Sequence, residues 1–311
     1  MPEKFIIAID LGGTNLKIAL IDLGYRIINK VSLNTRKFLK KKELIAAINS
    51  YIAELIKQKR ISKRDILGVG LGLPGPVDAA KGLVHFFPNL PGWKNVKLKQ
   101  ILEKITRLPV FLDNDANLMS LAEARVGAAK GARYAVCLTL GTGVGGGIII
   151  EKNIYRGANN ASGEIGHIPI NEKGPRCNCS GIACLEAYIG NNSIGRQAKK
   201  LFKRNISLEE LSALAKKGNS KALNIWQGVA EKLAVALVGV VNLLNPDRIV
   251  IGGGVAGAGS VLFDKVREVI KKRAMYVQGR HVRILKARLG NDAGLIGAAI
   301  MVRENIPNAK Y

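Results

Sequence analysis

The sequence predicts an α/β protein of two domains, each built on a mixed sheet that helices cover. A strand that runs into a glycine turn and emerges as a second strand occurs twice, at residues 5–21 and 135–150. Further strands and helices follow each copy. The chain has 311 residues, 48% of them hydrophobic, which is ample for two α/β domains with substantial cores.

The first part of the chain passes from tightly connected strands to strands that helices separate. Its predicted strands are 5–10, 17–22, 26–33, 66–73 and 109–112, and its predicted helices are 41–58, 98–105 and 116–127. Tightly connected strands pair antiparallel, whereas strands joined through a helix pair in parallel. A mixed sheet covered by helices is therefore predicted.

The second part repeats this opening, which indicates an internal duplication. It comprises a hairpin at 134–151, a loop-rich stretch at 152–182, and then mostly helices, interrupted by strands at 248–251 and 282–286 and ending in a helix at 294–304. We expect a small N-terminal α/β domain over 1–115, with the C-terminal helix (about 299–311) packing back onto it. The rest, 116–298, is expected to form a large α/β domain.

Both glycine turns have the chemistry of a phosphate site. Glycine lets backbone N–H groups approach a phosphate closely, and Thr14 and Thr142 add hydroxyl donors. Two such turns facing each other would hold the phosphates of one nucleotide from both sides. A third glycine run, Gly252-Gly253-Gly254, could admit an adenine ring, although glycine-rich turns occur in many folds. These turns favour a nucleotide-dependent enzyme.

Three of the four cysteines, Cys177, Cys179 and Cys184, lie within eight residues, and His167 precedes them by ten. Three thiolates and one imidazole complete a tetrahedral Zn²⁺ shell, so the site would be structural rather than hydrolytic. The alternative is three incidental cysteines and a loop histidine. Glu164 and Glu186 flank the cluster, where zinc would fix both carboxylates for binding polyol hydroxyls.

Asp113-Asn114-Asp115 follows a strand and opens a helix. A carboxylate there can accept a proton from a hydroxyl that attacks a γ-phosphoryl group. The alternative is that Asp113 or Asp115 caps the helix.

Asp10 ends the first strand beside the glycine turn and could hold Mg²⁺ through water, or it could be an ordinary turn residue.

The formal net charge of +25 requires polyanion binding to be considered. The basic residues are spread along the chain, so we favour the interpretation that they cover solvent-exposed surfaces rather than form a nucleic-acid-binding surface.

No secretory signal is recognised, and the most apolar stretch, 233–244, is too short to span a bilayer. We therefore expect a cytoplasmic protein without a membrane partner.

Six motifs, taken together, resemble the ROK family (repressors, open reading frames, sugar kinases) across essentially the whole chain. They are Asp10-Leu-Gly-Gly-Thr-Asn15, Leu73-Pro-Gly-Pro-Val-Asp78, Asn114-Asp115-Ala-Asn117, Gly141-Thr-Gly-Val-Gly145, Gly163-Glu-Ile-Gly-His167 and Cys177-x-Cys…Cys184-Leu-Glu186. The resemblance implies the actin-like, ribonuclease-H-like ATPase fold, in which two domains flank a cleft.

The same resemblance implies an ATP- and Mg²⁺-dependent hexose kinase with structural Zn²⁺, acting on the 6-hydroxyl of glucose. The alternatives are an N-acetylmannosamine, N-acetylglucosamine or fructose kinase and, from a different class, a non-catalytic sugar-responsive regulator or polyanion-binding protein. Repressor members carry a helix-turn-helix before the first phosphate motif, which here begins within ten residues of Met1, so no DNA-binding domain is expected. Relatives form dimers or tetramers, so a homodimer or homotetramer is expected.

By resemblance, Asp115 is the catalytic base. The implied sugar-binding residues are Gly75, Asn89, Asn114, Asp115, Glu164, His167 and Glu186. The implied nucleotide-binding residues are Asp10, Gly12, Gly13, Thr14, Asn15, Lys17, Thr142, Gly143, Gly253 and Gly254. The implied zinc ligands are His167, Cys177, Cys179 and Cys184. The chain departs from the family at Ser180 and Ala183, where members generally have glycine.

Overall fold

The computed structural model describes residues 3–38, 40–87 and 92–306. The strands are β1 Phe5–Leu11, β2 Asn15–Asp22, β3 Ile27–Asn34, β4 Ile66–Leu73, β5 Val77–Asp78, β6 Leu83–Phe86, β7 Lys94–Val96, β8 Val110–Asn114, β9 Ala135–Leu140, β10 Val144–Ile150, β11 Asn153–Tyr155, β12 Arg248–Gly252 and β13 Arg283–Lys286. The α-helices are α1 Lys41–Gln58, α2 Leu98–Thr106, α3 Asp115–Arg125, α4 Leu185–Ile189, α5 Asn191–Phe202, α6 Leu208–Lys216, α7 Ser220–Leu244, α8 Ser260–Arg273, α9 Tyr276–His281 and α10 Ala293–Asn305.

The chain forms two compact units. The first takes in the chain up to Ala122, the segment Arg156–Ser162 and the chain from Asn291 onward. The second comprises Glu123–Tyr155 and Gly163–Gly290. Three segments of the sequence thus contribute to the first unit and two to the second.

The first unit is built on a five-stranded mixed sheet in the order β3-β2-β1-β4-β8. β1, β2 and β3 pair antiparallel, while β4 pairs in parallel with both β1 and β8. Asp10, Gly72 and Asp113 lie in register on the three neighbouring parallel strands. Because this register falls at the carboxyl ends of the strands, Asp10 and the start of α3 share one edge of the sheet.

Helices cover both faces of this sheet because side chains alternate along each strand. Ile7 and Ile9 join the core that also contains α1 and α2. Gly70 belongs to the other face, where a Cβ would collide with the backbone of Ala298 in α10. Gly297 allows the same close approach, because a Cβ there would meet the backbone of Leu118 in α3. Glycine therefore sets how closely α10 packs on the sheet and on α3.

A small antiparallel sheet, β5-β6-β7, also belongs to the first unit, and the sequence did not predict it. Its strands have two to four residues, too few for an alternating pattern to be recognised.

The second unit contains a five-stranded sheet in the order β11-β10-β9-β12-β13. β9, β10 and β11 pair antiparallel, and β12 pairs in parallel with β9 and β13. The order and sense match those of the first unit, as the repeated glycine hairpin predicts. The mixed sheets predicted from the sequence are confirmed.

A buried carboxylate, Glu123, fixes the end of α3 in the second unit. Its side chain is fully buried and accepts hydrogen bonds from three backbone N–H groups, those of Ala128 (2.6 Å), Arg288 (2.9 Å) and Leu289 (2.9 Å). Each of these N–H groups would otherwise lose its hydration without a partner.

The long helix α7 is the centre of the second unit's core. Trp226, Leu233 and Leu237 are completely buried in a cluster that also includes residues of α8 and β12. In the part of the chain that the structure describes, α7 is the one helix with the length and hydropathy of a membrane span. Its packing against α4, α6 and α8 gives it the environment of a core helix instead.

Candidate active site and metal centre

The first glycine turn joins β1 to β2 in the first unit. Gly12 donates its N–H to the Asn15 carbonyl at 2.8 Å, which closes the turn. Thr35 holds the turn from outside, since its hydroxyl donates to the Gly12 carbonyl (3.0 Å) and its N–H to the Thr14 carbonyl (2.8 Å). Gly13, Thr14 and Asn15 remain exposed. The turn is thus rigid while its tip is accessible to a ligand.

Asp10 lies beside this turn and against the beginning of α10. Lys17 forms an ion pair with Asp10 at 3.1 Å and donates a second hydrogen bond to the Asn291 carbonyl at 2.6 Å. A Cβ on Gly294 would lie 3.0 Å from the Asp10 carboxyl carbon, so glycine makes room for this carboxylate. A helix N-terminus stabilises negative charge, which suits a carboxylate or a phosphate here.

The turn from β8 into α3 brings several polar groups together. The Asn114 side chain accepts hydrogen bonds from the N–H groups of Ala116 (2.9 Å) and Asn117 (3.2 Å), which makes Asn114 the cap of α3. The sequence offered Asp113 or Asp115 for that role. Asp115 is half-buried at the first helical position, and its carboxylate accepts a hydrogen bond from the Ala116 N–H at 2.8 Å.

Asp113 is buried and engages Arg156, a residue that the sequence had not singled out. Its Oδ1 accepts hydrogen bonds from the Asn114 N–H (2.7 Å) and the Asn117 amide (2.9 Å). Its Oδ2 accepts from Arg156 Nε (2.9 Å) and Nη2 (2.6 Å). Nothing in the local pattern around Arg156 indicates this pairing, because 43 residues separate the partners.

Two further predicted sugar-binding positions belong to the first unit. The Asn114 amide donates to the Gly75 carbonyl at 3.2 Å, so these two residues are in contact. Gly75 has a φ of 81°, which favours glycine. Asn89 lies outside the described residues.

In the second unit, the second glycine turn rests on Glu186. The Val144 N–H donates to Glu186 Oε2 at 2.8 Å, and a Cβ on Gly143 would lie 2.7 Å from the same oxygen. Asn191, at the start of α5, donates its N–H to the Gly141 carbonyl at 2.9 Å. Thr142, at the tip, is exposed. Glu186 therefore contacts the backbone of a predicted phosphate turn.

The third glycine run packs on the end of β9, just before this turn. Gly253 has a φ of 83°, and a Cβ there would overlap the backbone of Leu140. Gly252 pairs in register with Thr139, so the carboxyl ends of β9 and β12 lie side by side. Gly253, Gly254 and the second glycine turn thus share one edge of the second sheet.

His167, Cys177, Cys179 and Cys184 converge, with their ligand atoms all within 4.8 Å of one another. The Cys179 and Cys184 sulfurs are 3.6 Å apart, and Cys177 Sγ lies 3.7 Å from His167 Nδ1. Zn–S and Zn–N bonds of ordinary length in a tetrahedron separate such ligand atoms by about 3.5–3.8 Å. The four residues fit a zinc ion and fill its shell, so a bound metal would have no position for reactive water.

Glu164 and Glu186 adjoin this centre. Glu186 Oε1 lies 3.8 Å from Cys177 Sγ, while its other oxygen holds the glycine turn. Glu164 Oε2 lies 3.8 Å from His167 Nε2, the nitrogen that faces away from the cysteines. A carboxylate beside the outer imidazole nitrogen orients a metal-binding histidine. The metal centre is thereby connected to two predicted ligand-binding carboxylates.

Burial raises the pKa of the Cys184 thiol to about 12 and also raises the pKa of Cys177. The Gly181 N–H lowers the pKa of Cys179.

Ser180 and Ala183 both adopt left-handed backbone, with φ of 73° and 56°. Glycine would adopt this conformation more easily than serine or alanine, since a Cβ is strained there.

Proteins of known function resemble the chain over nearly its whole length. A sequence profile of the ROK family matches residues 6–305. The chain belongs to the ROK family. The glucokinase of Thermotoga maritima is 34% identical over 320 residues, covering 98% of this chain and 99% of the glucokinase. The xylose repressor of Caldicellulosiruptor bescii is 32% identical over 310 residues, covering 96% of this chain and 77% of the repressor.

A ROK family glucokinase from Streptomyces griseus, solved in complex with glucose and AMPPNP, has the same fold. Its TM-score is 0.81 at 29% identity, and the match covers 97% of this chain and 100% of that one. The actin-like two-domain ATPase fold implied by the motifs is thus confirmed. The ROK family includes sugar kinases and repressors, so membership by itself leaves the substrate open.

Proposed function

We propose that this ROK protein is an ATP-dependent hexose kinase that transfers the γ-phosphoryl group to the 6-hydroxyl of glucose. The observation that carries the proposal is the shared sheet edge in the first unit. There Asp115 follows the carboxyl end of β8, two strands from Asp10 and its glycine turn. A phosphoryl-transfer enzyme needs a base and a phosphate-binding turn in such proximity.

Asp115 would accept the proton of the sugar hydroxyl as its oxygen attacks phosphorus. Asn114 supports this role in two ways. It caps α3 at its own position, and its amide contacts Gly75. Asp113 and Arg156 would keep the turn in one conformation. Each oxygen of the Asp113 carboxylate accepts two hydrogen bonds, so the side chain is fixed on both sides.

The glycine turns would bind the nucleotide. N–H groups at Gly13, Thr142 and Gly143, with the hydroxyls of the two threonines, suit phosphate oxygens, while Gly12 closes the first turn. Lys17 would add positive charge, Asn15 a polar contact, and Gly253 and Gly254 would admit the adenosine. Mg²⁺ would neutralise phosphate charge, and Asp10 would hold it through water.

Zinc would act as a scaffold on the four ligands of the Cys₃His centre. By fixing His167 and the loop around Cys177, it would position Glu164 and Glu186 for the sugar hydroxyls. Asn114, Gly75 and Asn89 would complete the sugar contacts. The metal would thus affect sugar binding more strongly than nucleotide binding.

The test is a panel of hexoses assayed with Mg-ATP by following ADP release, on the wild type and on Asp115→Asn. We expect glucose to be the preferred substrate. Loss of a general base lowers kcat about 10²- to 10⁴-fold, while the Kd for glucose should change little. Asp65→Asn is the matched control, since it removes a carboxylate whose ion pair with Lys4 lies in the same unit.

A glucose kinase activity that survives Asp115→Asn within a factor of about ten would refute the base assignment. Preference for fructose, N-acetylmannosamine or N-acetylglucosamine would keep the chemistry and change the substrate.

The second candidate is a sugar-responsive regulator without catalysis, favoured by the xylose repressor at 32% identity. Its signature would be sugar binding and sugar-dependent binding of duplex DNA with no ADP release. We further propose that the protein acts in the cytoplasm and forms a homodimer or homotetramer. The molar mass from light scattering would test the oligomeric state.

A further inference from the structure

A cationic groove lies on the second unit, alongside α8, α9 and β13. It encloses about 560 Å³ and is lined by Arg267, Ile270, Lys271, Gly279, Arg280, Val282, Arg283, Ile284 and Leu285. We call it the α8–β13 groove. Among the described residues that line it, four carry a positive charge and none carries a negative one. Such a lining is complementary to an anion.

Neighbouring acids account for only one of the four cations that line the groove, Arg267, which pairs with Asp264 at 2.8 Å. Residues 265–288 contain nine lysines and arginines but a single acidic residue, Glu268, which pairs with Lys265. Lys271, Arg280 and Arg283 are exposed, and within the described part of the chain none of them pairs with a carboxylate. Lys271 lies in the last turn of α8, where the helix dipole favours a cation. Arg283 begins a strand, so a helix dipole does not account for its charge.

An aromatic side chain stands beside these cations. Tyr276 is 70% exposed, and the Arg280 guanidinium lies 4.3 Å from the centre of its ring. The groove also has an apolar floor, where Ile270 and Ile284 are buried. A cationic track with an exposed aromatic ring is the combination that binds single-stranded nucleic acids, because the phosphates meet the charges and a base stacks on the ring.

The groove is separate from the groups assigned to the kinase. β12 and β13 run in parallel, and Arg248 pairs in register with Arg283 at their amino ends. Gly252 is the last residue of β12, at the opposite, carboxyl end, and Gly253 follows it. A second copy of the chain fits the groove poorly, because a two-fold axis through it would bring its cations against one another.

We propose that the α8–β13 groove binds single-stranded nucleic acid, with phosphates on Lys271 and Arg283 and a base stacked on Tyr276. This activity goes beyond the proposed kinase function and does not depend on it. RNA and DNA share the chemistry that the groove recognises.

The test measures binding of fluorescent oligouridine and oligothymidine of twelve nucleotides by anisotropy, with duplex DNA and inorganic polyphosphate as competitors. Tyr276→Ala should weaken binding about 5- to 100-fold, the usual effect of removing one stacking platform. Tyr25→Ala is the control, since Tyr25 is a half-buried tyrosine of the first unit with Arg303 over its ring at 5.5 Å. The logarithm of the affinity should fall linearly with the logarithm of the salt concentration, with a slope of about −1.4, from about 0.7 for each of two phosphate contacts.

A charge-matched pair completes the design. The double variant Lys271→Ala, Arg283→Ala should reduce binding and flatten the salt slope. The control, Lys199→Ala with Lys200→Ala, removes two exposed cations of α5 in the same unit and should leave binding nearly unchanged. The thermal unfolding temperature, which none of these variants should alter by more than a few degrees, reports that each is folded. Equal loss in both double variants would overturn the proposal, because it would show attraction by net charge alone.

Other outcomes would also overturn it. Polyphosphate that displaces the oligonucleotide while Tyr276→Ala has no effect would mean that no base is recognised. Absence of binding at about 50 mM salt, where phosphate contacts are strongest, would exclude the site. A wild-type oligomer that Tyr276→Ala dissociates, without nucleic-acid binding, would assign this face to a second copy.

Discussion

Replacing Arg156 by methionine tests how the candidate base is held in place. Methionine retains much of the aliphatic stem but removes both donors to Asp113 Oδ2. The carboxylate would keep its two hydrogen bonds at Oδ1 and lose its only cation in the described part of the chain. The Asp113 side chain is 2% exposed, so water would not replace the arginine without rearrangement.

The magnitude follows from burial. Breaking a buried ion pair by removing one partner costs about 3–5 kcal/mol. Arg156 is 35% exposed and therefore partly screened, which lowers the expected loss to about 2–3 kcal/mol. Asp113→Asn should cost less, about 1–2 kcal/mol, because it retains an acceptor and leaves Arg156 hydrated. The double variant should be more stable than additivity predicts by about 1 kcal/mol or more.

Urea unfolding measures these losses in the relevant unit. The chain has two tryptophans, and Trp93 is buried in the first unit while Trp226 is buried in the second. A Trp226→Phe background therefore makes fluorescence report on the first unit alone. Lys30→Met is the control, since Lys30 pairs with Asp292 on the surface of the same unit and its loss should cost under about 1 kcal/mol.

The variant should also lower kcat for glucose phosphorylation. A displacement of about 1 Å in the turn that carries Asp115 can reduce the rate about 100-fold. Strictly additive stability losses, or a normal kcat in a destabilised Arg156→Met protein, would refute the idea that this ion pair orients the turn.

Three further predictions concern the second unit. Ser180→Gly should raise the melting temperature slightly, with up to about 1 kcal/mol gained by relieving left-handed strain; a fall on thermal unfolding would contradict this. The pKa of Asp247 lies below its ordinary value, mainly because its carboxylate accepts a hydrogen bond from the Tyr134 N–H. The stability this carboxylate adds, roughly 1 kcal/mol, is therefore present above the unfolded pKa of about 4 and is lost as pH falls through the lower folded pKa. Asp247→Asn should flatten the dependence of melting temperature on acidic pH, and an unchanged profile would exclude the residue as its source. Glu123→Ala orphans three N–H groups and should cost about 3 kcal/mol or more in urea unfolding followed at Trp226; a loss below about 1 kcal/mol would mean that water replaces the carboxylate.

Much of the fold could be read from local pattern. The order of strands and helices followed from apolar periodicity and glycine turns, and the repeated hairpin predicted two sheets of the same kind. The short strands of β5, β6 and β7 were not recognised, because two to four residues carry too little periodicity.

The sequence by itself determined the chemistry that the molecule carries: two glycine turns with threonine, a carboxylate at the start of α3, and three closely spaced cysteines. These are properties of neighbouring residues, and the spacing along the chain defines them. Only the tertiary structure decided which distant groups surround them. Arg156 reaches Asp113, Gly294 makes room for Asp10, and Glu186 joins the metal centre to a glycine turn. The physical reason is that such pairs form where strands and helices fold back on one another, and no local pattern specifies which side chain arrives.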